Sequence, residues 1–337
     1  MQSHLLLKVR DLQTQFVTSH GTVHAVNEVS FDLARGERLA IVGETGSGKT
    51  AMALSLLKLL PRSGRIVGGS VLLDNQDLLQ LDEQELMKVR GKAAAMVFQD
   101  PMTSLNPVMR VREQLVPPIR QHLGMDSSAA LDRVVELLRK VGISDPESRV
   151  HSYPHELSGG MRQRVLIAMA LSCGPKVIIA DEPTTALDVT IQAQIVALLK
   201  GLSDDTGTAV LFITHDFGLV ARFAHRVAVM YAGSIIETGA VNDLFANPLH
   251  PYTQGLLGAI PAIAGPKPDR LAQISGSPPD MKSFGSGCPF MPRCSLASAQ
   301  CGVEQPLLLQ ATPGHAVACW AAPIEGPAKE MESVTAR

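Results

Sequence analysis

Apolar and polar positions change period several times along the chain, and each change marks a candidate element. Val26 to Leu33 alternates with the period of a half-buried strand, then Ala34-Arg35-Gly36-Glu37 supplies a turn into Leu39–Val42, which is apolar throughout. Residues 5–42 therefore read as a strand-rich opening sheet. Ala51 to Leu60 has helical character and stops at Pro61, Ser63 and Gly64; Ser70 to Leu73 and Ala93 to Phe98 read as further strands, the first ending in an Asp74-Asn75 turn. Pro101 through Pro118 is broken by four prolines. It gives way to an amphipathic helix over Ala129 to Val141, with Leu131, Val134, Val135, Leu138 and Val141 at helical spacing, so the middle third reads as a helical insertion. Val177–Ala180 and Ala209–Thr214 are apolar strands separated by a helix from about Thr190 to Leu202, a spacing that predicts a parallel sheet. From Asn247 onward Pro248, Pro251, Pro261, Pro266, Pro268, Pro278 and Pro279 predict a linker-rich, weakly periodic extension.

Composition narrows the class. The chain has 337 residues, 45% of them hydrophobic, enough for one large or two modest globular domains. A formal net charge of −2 supplies no bulk attraction to nucleic acid or anionic lipid, and no nucleic-acid partner is expected. No apolar stretch is long enough to cross a bilayer, and Leu5-Leu6-Leu7 is too short for a secretory segment. The expected location is cytoplasmic, with any membrane contact made through a partner. The five cysteines accordingly read as reduced thiols, not as a disulfide framework.

Candidate chemistry begins at Gly43-Glu44-Thr45-Gly46-Ser47-Gly48-Lys49-Thr50, which follows the apolar strand and precedes the helical run. This is the order that a phosphate cradle requires: loop amides and the helix dipole face phosphate oxygens, Lys49 adds a point charge, and the Thr50 hydroxyl can ligate Mg²⁺. A nucleoside triphosphate is the expected ligand. Val177-Ile178-Ile179-Ala180-Asp181-Glu182 ends in two carboxylates at the edge of a parallel sheet where that loop also lies. Asp181 is the candidate for the Mg²⁺ shell and Glu182 for orienting or deprotonating the attacking water. A second anion receptor is suggested by Ser158-Gly159-Gly160, a hydroxyl and bare amides ahead of the apolar helix Val165–Leu171.

Leu157-Ser158-Gly159-Gly160-Met161 resembles the signature of the ATP-binding cassette (ABC) ATPases, with Met161 where many members carry Gln. The resemblance implies an α/β, P-loop NTPase fold with a parallel-sheet core, an antiparallel β subdomain and an inserted helical subdomain at about 100–165. It covers about residues 5–245, so the expected division is a nucleotide-binding domain over 1–245 and an extension over 246–337. Further motifs match in order. Gln99 resembles the loop glutamine that links Mg²⁺ and the attacking water to the helical insertion; Pro183-Thr184-Thr185-Ala186-Leu187-Asp188 resembles the loop coupling two subunits, with Asp188 its terminal carboxylate. His215 resembles the switch histidine at the γ-phosphate, and Phe16 the aromatic that stacks on adenine. Cassettes of this family pair head to tail, which implies that Ser158 and Gly160 of one chain complete the ATP site around Lys49 of another.

Phe98-Gln99-Asp100-Pro101-Met102-Thr103-Ser104-Leu105-Asn106-Pro107, Tyr153-Pro154-His155-Glu156 and His250-Pro251-Tyr252-Thr253 look like the dipeptide/oligopeptide importer ATPases. That branch implies a second, related ATPase subunit, two transmembrane permease subunits, an extracytoplasmic peptide-binding protein, and a peripheral place on the cytoplasmic face of the membrane. Importers of nickel or another small solute are the alternative, and further off a soluble cassette protein using its tail to hold a partner. In the extension, Cys288, Cys294, Cys301 and Cys319 leave gaps of five, six and seventeen residues with Pro and Gly turns between them. Four thiols suit structural Zn²⁺ or an iron–sulfur cluster. The importer branch implies [4Fe–4S]. Cys173, within an apolar helix, reads as a small core residue.

Overall fold

Strands that are apolar throughout are the ones the fold buries on both faces. The computed structural model describes residues 5–185, 187–260, 273–282 and 285–323. The chain opens with β1 (Leu5–Thr18) and β2 (Gly21–Ala34), an antiparallel pair in which buried and exposed positions alternate. Every residue of β3 (Arg38–Val42) is buried, and β3 leaves its predecessors for a second sheet. β4 (Gly64–Leu73) and β5 (Gln76–Asp77) return to the first, giving a four-stranded order β2-β1-β4-β5. The turn after β2 thus crosses between sheets and does not close a hairpin with β3. An alternating strand can leave one face to solvent, whereas a strand apolar on both faces needs cover on each, which only the middle of a parallel sheet supplies.

That second sheet is built by β6 (Ala94–Val97), β7 (Val177–Asp181), β8 (Ala209–Thr214), β9 (Arg226–Tyr231), β10 (Ser234–Ala240), β11 (Leu309–Thr312) and β12 (His315–Val317) around β3. Among the described residues its order is β11-β12-β10-β9-β3-β8-β7-β6. The run from β9 to β6 is parallel, as the βαβ spacing predicts, and the helix between β7 and β8 spans Val189–Thr206. One face, carrying Val177, Ile179, Leu211 and Ile213, packs against the four-stranded sheet. The other, carrying Ile178, Ala180, Val210 and Phe212, is covered by helices Val111–Leu123, Ser127–Lys140 and Gly159–Leu171.

Two expectations are corrected. Pro117 and Pro118 lie inside helix Val111–Leu123 and do not end it. The helix buries Val111, Leu115 and Ile119 at a spacing of four, and this apolar stripe outweighs the backbone bonds lost at the Glu113 and Gln114 carbonyls; the Pro118 carbonyl accepts from the Cys173 thiol at 3.5 Å. The second concerns the segment after Asn247, which is not merely linker. Helix Pro251–Gly258 follows directly, and β12 adds to the main sheet by pairing with β10. Pro261, Pro266 and Pro268 lie outside the described residues. Helix Glu83–Val89 is too short to show an apolar period, and its local signal is the Asp82…Glu85 capping box, in which Glu85 N–H donates to Asp82 at 2.8 Å and Asp82 N–H to Glu85 at 3.0 Å.

The extension is attached through a buried carboxylate and a ring cluster. Glu237 on β10, wholly buried, accepts from the amides of Leu249 and His250 at 2.7 and 3.0 Å and pairs with His315 of β12 at 2.8 Å. Tyr252 and Phe290 pack on Tyr231 of β9, with ring centroids 4.6 and 5.3 Å from it. His250 caps helix Pro251–Gly258 by accepting the Tyr252 N–H at 3.0 Å. Burial pushes its imidazole down to about 4 from the ordinary 6.5. Between those values the unfolded chain binds a proton that the folded chain refuses, so this contribution is full above 6.5 and is lost as pH falls toward 4. Thermal midpoints should fall on acidification across that window. His250→Asn, which keeps a capping acceptor but does not titrate, should show a shallower fall; an identical slope would exclude His250 as its source.

Candidate functional site

The loop after β3 is shaped by positions that admit no side chain. Gly48, which caps helix Lys49–Leu56, has φ +101, and a Cβ there would lie 2.1 Å from the Ala25 carbonyl oxygen; at Gly43 it would lie 2.2 Å from that of Met230. The loop is therefore seated directly on β2 and β9. Lys49 folds back over it, its Nζ donating to the Gly43 and Glu44 carbonyls at 2.8 and 2.9 Å. Burial holds the Lys49 pKa below its ordinary value, while Glu182, Asp181 and Glu44 push the other way. A buried cation beside a helix N-terminus suits an anionic ligand.

Behind it, the Thr50 hydroxyl donates to Asp181 Oδ1 at 3.3 Å. Asp181 is buried at the end of β7, and desolvation pushes its carboxyl up to about 6; neighbouring Glu182 acts the same way, and Thr50 and Lys49 oppose. A hydroxyl beside a buried carboxylate is oxygen chemistry suited to a hard divalent cation, so these residues fit Mg²⁺.

Glu182 gathers the remaining polar groups. Its carboxylate accepts from Gln99 Nε2 at 3.1 Å and from the Thr185 hydroxyl at 2.9 Å, and His215 Nδ1 lies 3.4 Å away. These partners come from the segments after β6, β7 and β8. The Glu182 backbone sits in the left-handed region at φ 44, held there as its N–H donates to the Ile213 carbonyl at 2.9 Å. A non-glycine residue so placed stores about 1–3 kcal/mol of strain. Lys49, Thr50, Gln99, Asp181, Glu182 and His215 thus form one site linked by contact or charge. Thr185, a direct partner of Glu182, stands out in the sequence only as a member of the Pro183–Asp188 motif.

Other candidates lie apart. Ser158 caps helix Gly159–Leu171 by accepting the Met161 N–H at 3.3 Å, and Gly159 and Gly160 face Leu187 and Ile191. Among the described residues no hydrogen bond joins them to the phosphate loop. Asp188 caps helix Val189–Thr206, accepting the Ile191 N–H at 3.0 Å; Ala186 in the same motif lies outside the described residues. Phe16 is half-buried on β1 in register with Gly64 of β4, over which its ring lies. Two contacts on the phosphate loop were not read from sequence: Glu44 N–H donates to the Tyr252 hydroxyl at 2.8 Å, and the Glu44 carboxylate binds Arg293.

The four cysteines of the extension share one neighbourhood without forming a ligand set. Cys288 N–H donates to the Cys301 carbonyl at 2.7 Å, and the Cys319 thiol feels both Cys294 and Cys301. Burial raises the Cys288 and Cys319 pKa values, while hydrogen bonds from Ser298 lower that of Cys301. Among the described residues, however, no group of three or more His, Cys, Asp or Glu is placed to hold a metal ion. The donor chemistry of the four thiols suits a thiolate-held metal. Protonated thiols have no attraction that would draw them together; thiolates bridged by a metal do.

Comparison with known proteins agrees with this geometry. The family described as ABC transporter matches residues 26–185, and that described as oligopeptide/dipeptide transporter, C-terminal region, matches residues 236–301. The oligopeptide transport ATP-binding protein OppD of Bacillus subtilis is 48% identical over 334 residues, 98% of this chain and 93% of its own. The dipeptide transport ATP-binding protein DppD of Lactococcus lactis is 46% identical over 95% of this chain and 92% of its own. A solved dimeric ATP-binding cassette, in a post-hydrolysis state bound to ADP and Pi, superposes with a TM-score of 0.63 at 28% identity, covering 70% of this chain and 99% of that one. With a phosphate loop facing a carboxylate pair across parallel strands, the chain belongs to the ABC transporter family of ATPases, in its oligopeptide/dipeptide transporter branch.

Proposed function

We propose that this chain is the ATP-hydrolysing subunit of a dipeptide/oligopeptide importer. The observation that carries the proposal is the convergence of Gln99, Thr185 and His215 on Glu182, beside Lys49, Thr50 and Asp181. The peptide-transport names of its relatives and the matched C-terminal region support the substrate class.

In this reading Gly43 to Thr50 cradle the triphosphate and Lys49 neutralises its β/γ oxygens. Thr50 and Asp181, with Gln99, would hold Mg²⁺, which when bound supplies further charge neutralisation at those oxygens. Glu182 orients the attacking water and accepts its proton, Gln99 and Thr185 fix the carboxylate, and His215 contacts the γ-phosphate. Phe16 supplies a stacking face for adenine. Among the described residues no hydrogen bond joins Ser158, Gly159 and Gly160 to the phosphate loop of their own chain, which supports their use across a head-to-tail pair, with Asp188 at that junction. The dimeric state of the related solved cassette supports the same arrangement.

Residues 1–245 would then be the nucleotide-binding unit, with about 100–165 its helical arm, and 246–337 the importer-type extension. Phe98, Met102 and Val108, which flank Gln99 along the chain, are 42%, 63% and 78% exposed, apolar side chains suited to contact with the permease subunits. Among the described residues no helix is long and apolar enough to cross a membrane, in keeping with a peripheral place against two permease subunits at the cytoplasmic face. A second ATPase subunit completes the motor, and a peptide-binding protein outside the membrane delivers the substrate. For the extension, the shared neighbourhood of Cys288, Cys294, Cys301 and Cys319 supports a [4Fe–4S] site, with Zn²⁺ the alternative.

Glu182→Gln in the complex reconstituted with its partners should bind ATP, lower kcat by about 10²–10⁴-fold, accumulate the closed pair and stop peptide uptake. Hydrolysis at the parental rate by that variant would remove Glu182 from the mechanism, and normal hydrolysis without peptide uptake in the parent complex would remove the substrate class. Anaerobically purified chain should contain about four irons and four sulfides, lost on replacing the four cysteines by Ser. One zinc without a visible chromophore would favour the alternative, and no metal would exclude both.

A further inference from the structure

Glu44 is gripped through three different groups. Its carbonyl accepts from Lys49 Nζ at 2.9 Å, its amide donates to the Tyr252 hydroxyl at 2.8 Å, and both carboxylate oxygens are bound by Arg293. In the latter pair Arg293 Nη1 meets Oε2 at 2.7 Å and Nη2 meets Oε1 at 3.0 Å, a parallel fork. The Arg293 side chain is only 3% exposed. Its Nε donates to the Ser275 carbonyl at 3.0 Å, and the guanidinium lies over the rings of Tyr231 and Phe290, 5.8 and 5.9 Å from their centroids. This cation is therefore fixed by the extension before it meets Glu44. Tyr252 is equally constrained, being wholly buried between Tyr231 and Phe290. Both groups belong to the extension, while the residue they hold lies within the phosphate loop.

We propose that Arg293, together with Tyr252, is a positioning residue for nucleotide binding: by clamping Glu44, the extension holds the phosphate loop in its receptive shape and keeps Lys49 aimed at the phosphates. Arg293 binds the Glu44 carboxylate and not Lys49, Asp181 or Glu182, and so acts through Glu44. A loop already ordered loses less conformational freedom when it closes on phosphate, so releasing the clamp weakens binding and leaves the chemical step largely intact. The coupling is reciprocal: a nucleotide that orders the loop also tightens the seat of the extension. The inference rests on this loop being the ATP site, and the test separates the two.

The full chain is assayed for equilibrium binding of a fluorescent ATP analogue and for steady-state hydrolysis. Arg293→Met, which keeps the apolar stem, should raise Kd and KM about tenfold and leave kcat within about twofold. Arg293→Lys should recover only part, because a point charge cannot reproduce the fork. Glu44→Gln should weaken binding similarly, and the double variant should bind no worse than the weaker single one. An unchanged Kd in folded Arg293→Met, or effects that multiply in the double variant, would overturn the coupling. Should Arg293→Met not fold, Glu44→Gln and Tyr252→Phe approach the clamp from its other members, and parental affinity in both would overturn it as well. Lys49→Ala should lose binding in every background; binding retained there overturns the assignment of the ATP site and the coupling with it.

Discussion

The parallel register of β3, β8 and β7 is the constraint on which the site depends. Val42 lies opposite Thr214 and Asp181 opposite Ile213, so the segments that leave these strands emerge at one edge of the sheet. Lys49, Asp181, Glu182 and His215 are far apart in sequence and are neighbours only because that register holds. Slipping one strand by a single residue would exchange the side chains of its two faces and separate the charges, and the close packing of both faces opposes it.

The same burial sets the electrostatics. Water is excluded from Lys49 and Asp181, which shifts each toward its neutral form, the first downward and the second upward. Two groups driven this way suit a ligand that brings phosphate charge and a divalent cation together, because each component favours the ionised form of the group it meets. Glu182 is held differently. Its strained backbone and three polar neighbours fix the carboxylate before any ligand arrives, the kind of preorganisation that phosphoryl transfer rewards.

The extension shows why proline-rich texture is weak grounds for calling a segment a linker. Its attachment uses few residues: one buried Glu237 that satisfies two amides and His315, a cluster of rings on Tyr231, and a three-residue strand on β10. None of these leaves a period in the sequence. The consequence reaches the phosphate loop, because Tyr252 and Arg293 come from this segment.

What the sequence determined by itself is whatever depends on residues near one another along the chain. The phosphate loop, the strand ending in Asp181 and Glu182, the βαβ spacing and the helix over Ser127–Lys140 were legible because a turn, a cap or an apolar stripe is a local property. The departure of β3 from β2, the survival of the helix through Pro117 and Pro118, and the clamp of Arg293 on Glu44 were not legible, since each is decided by a partner far away in the chain. The cysteine spacing named a donor set, yet whether four thiols close into a site depends on charge and metal as well as on spacing. Tertiary structure alone decided these matters because burial and long-range pairing, which override local preference, have no signature in any short stretch of sequence.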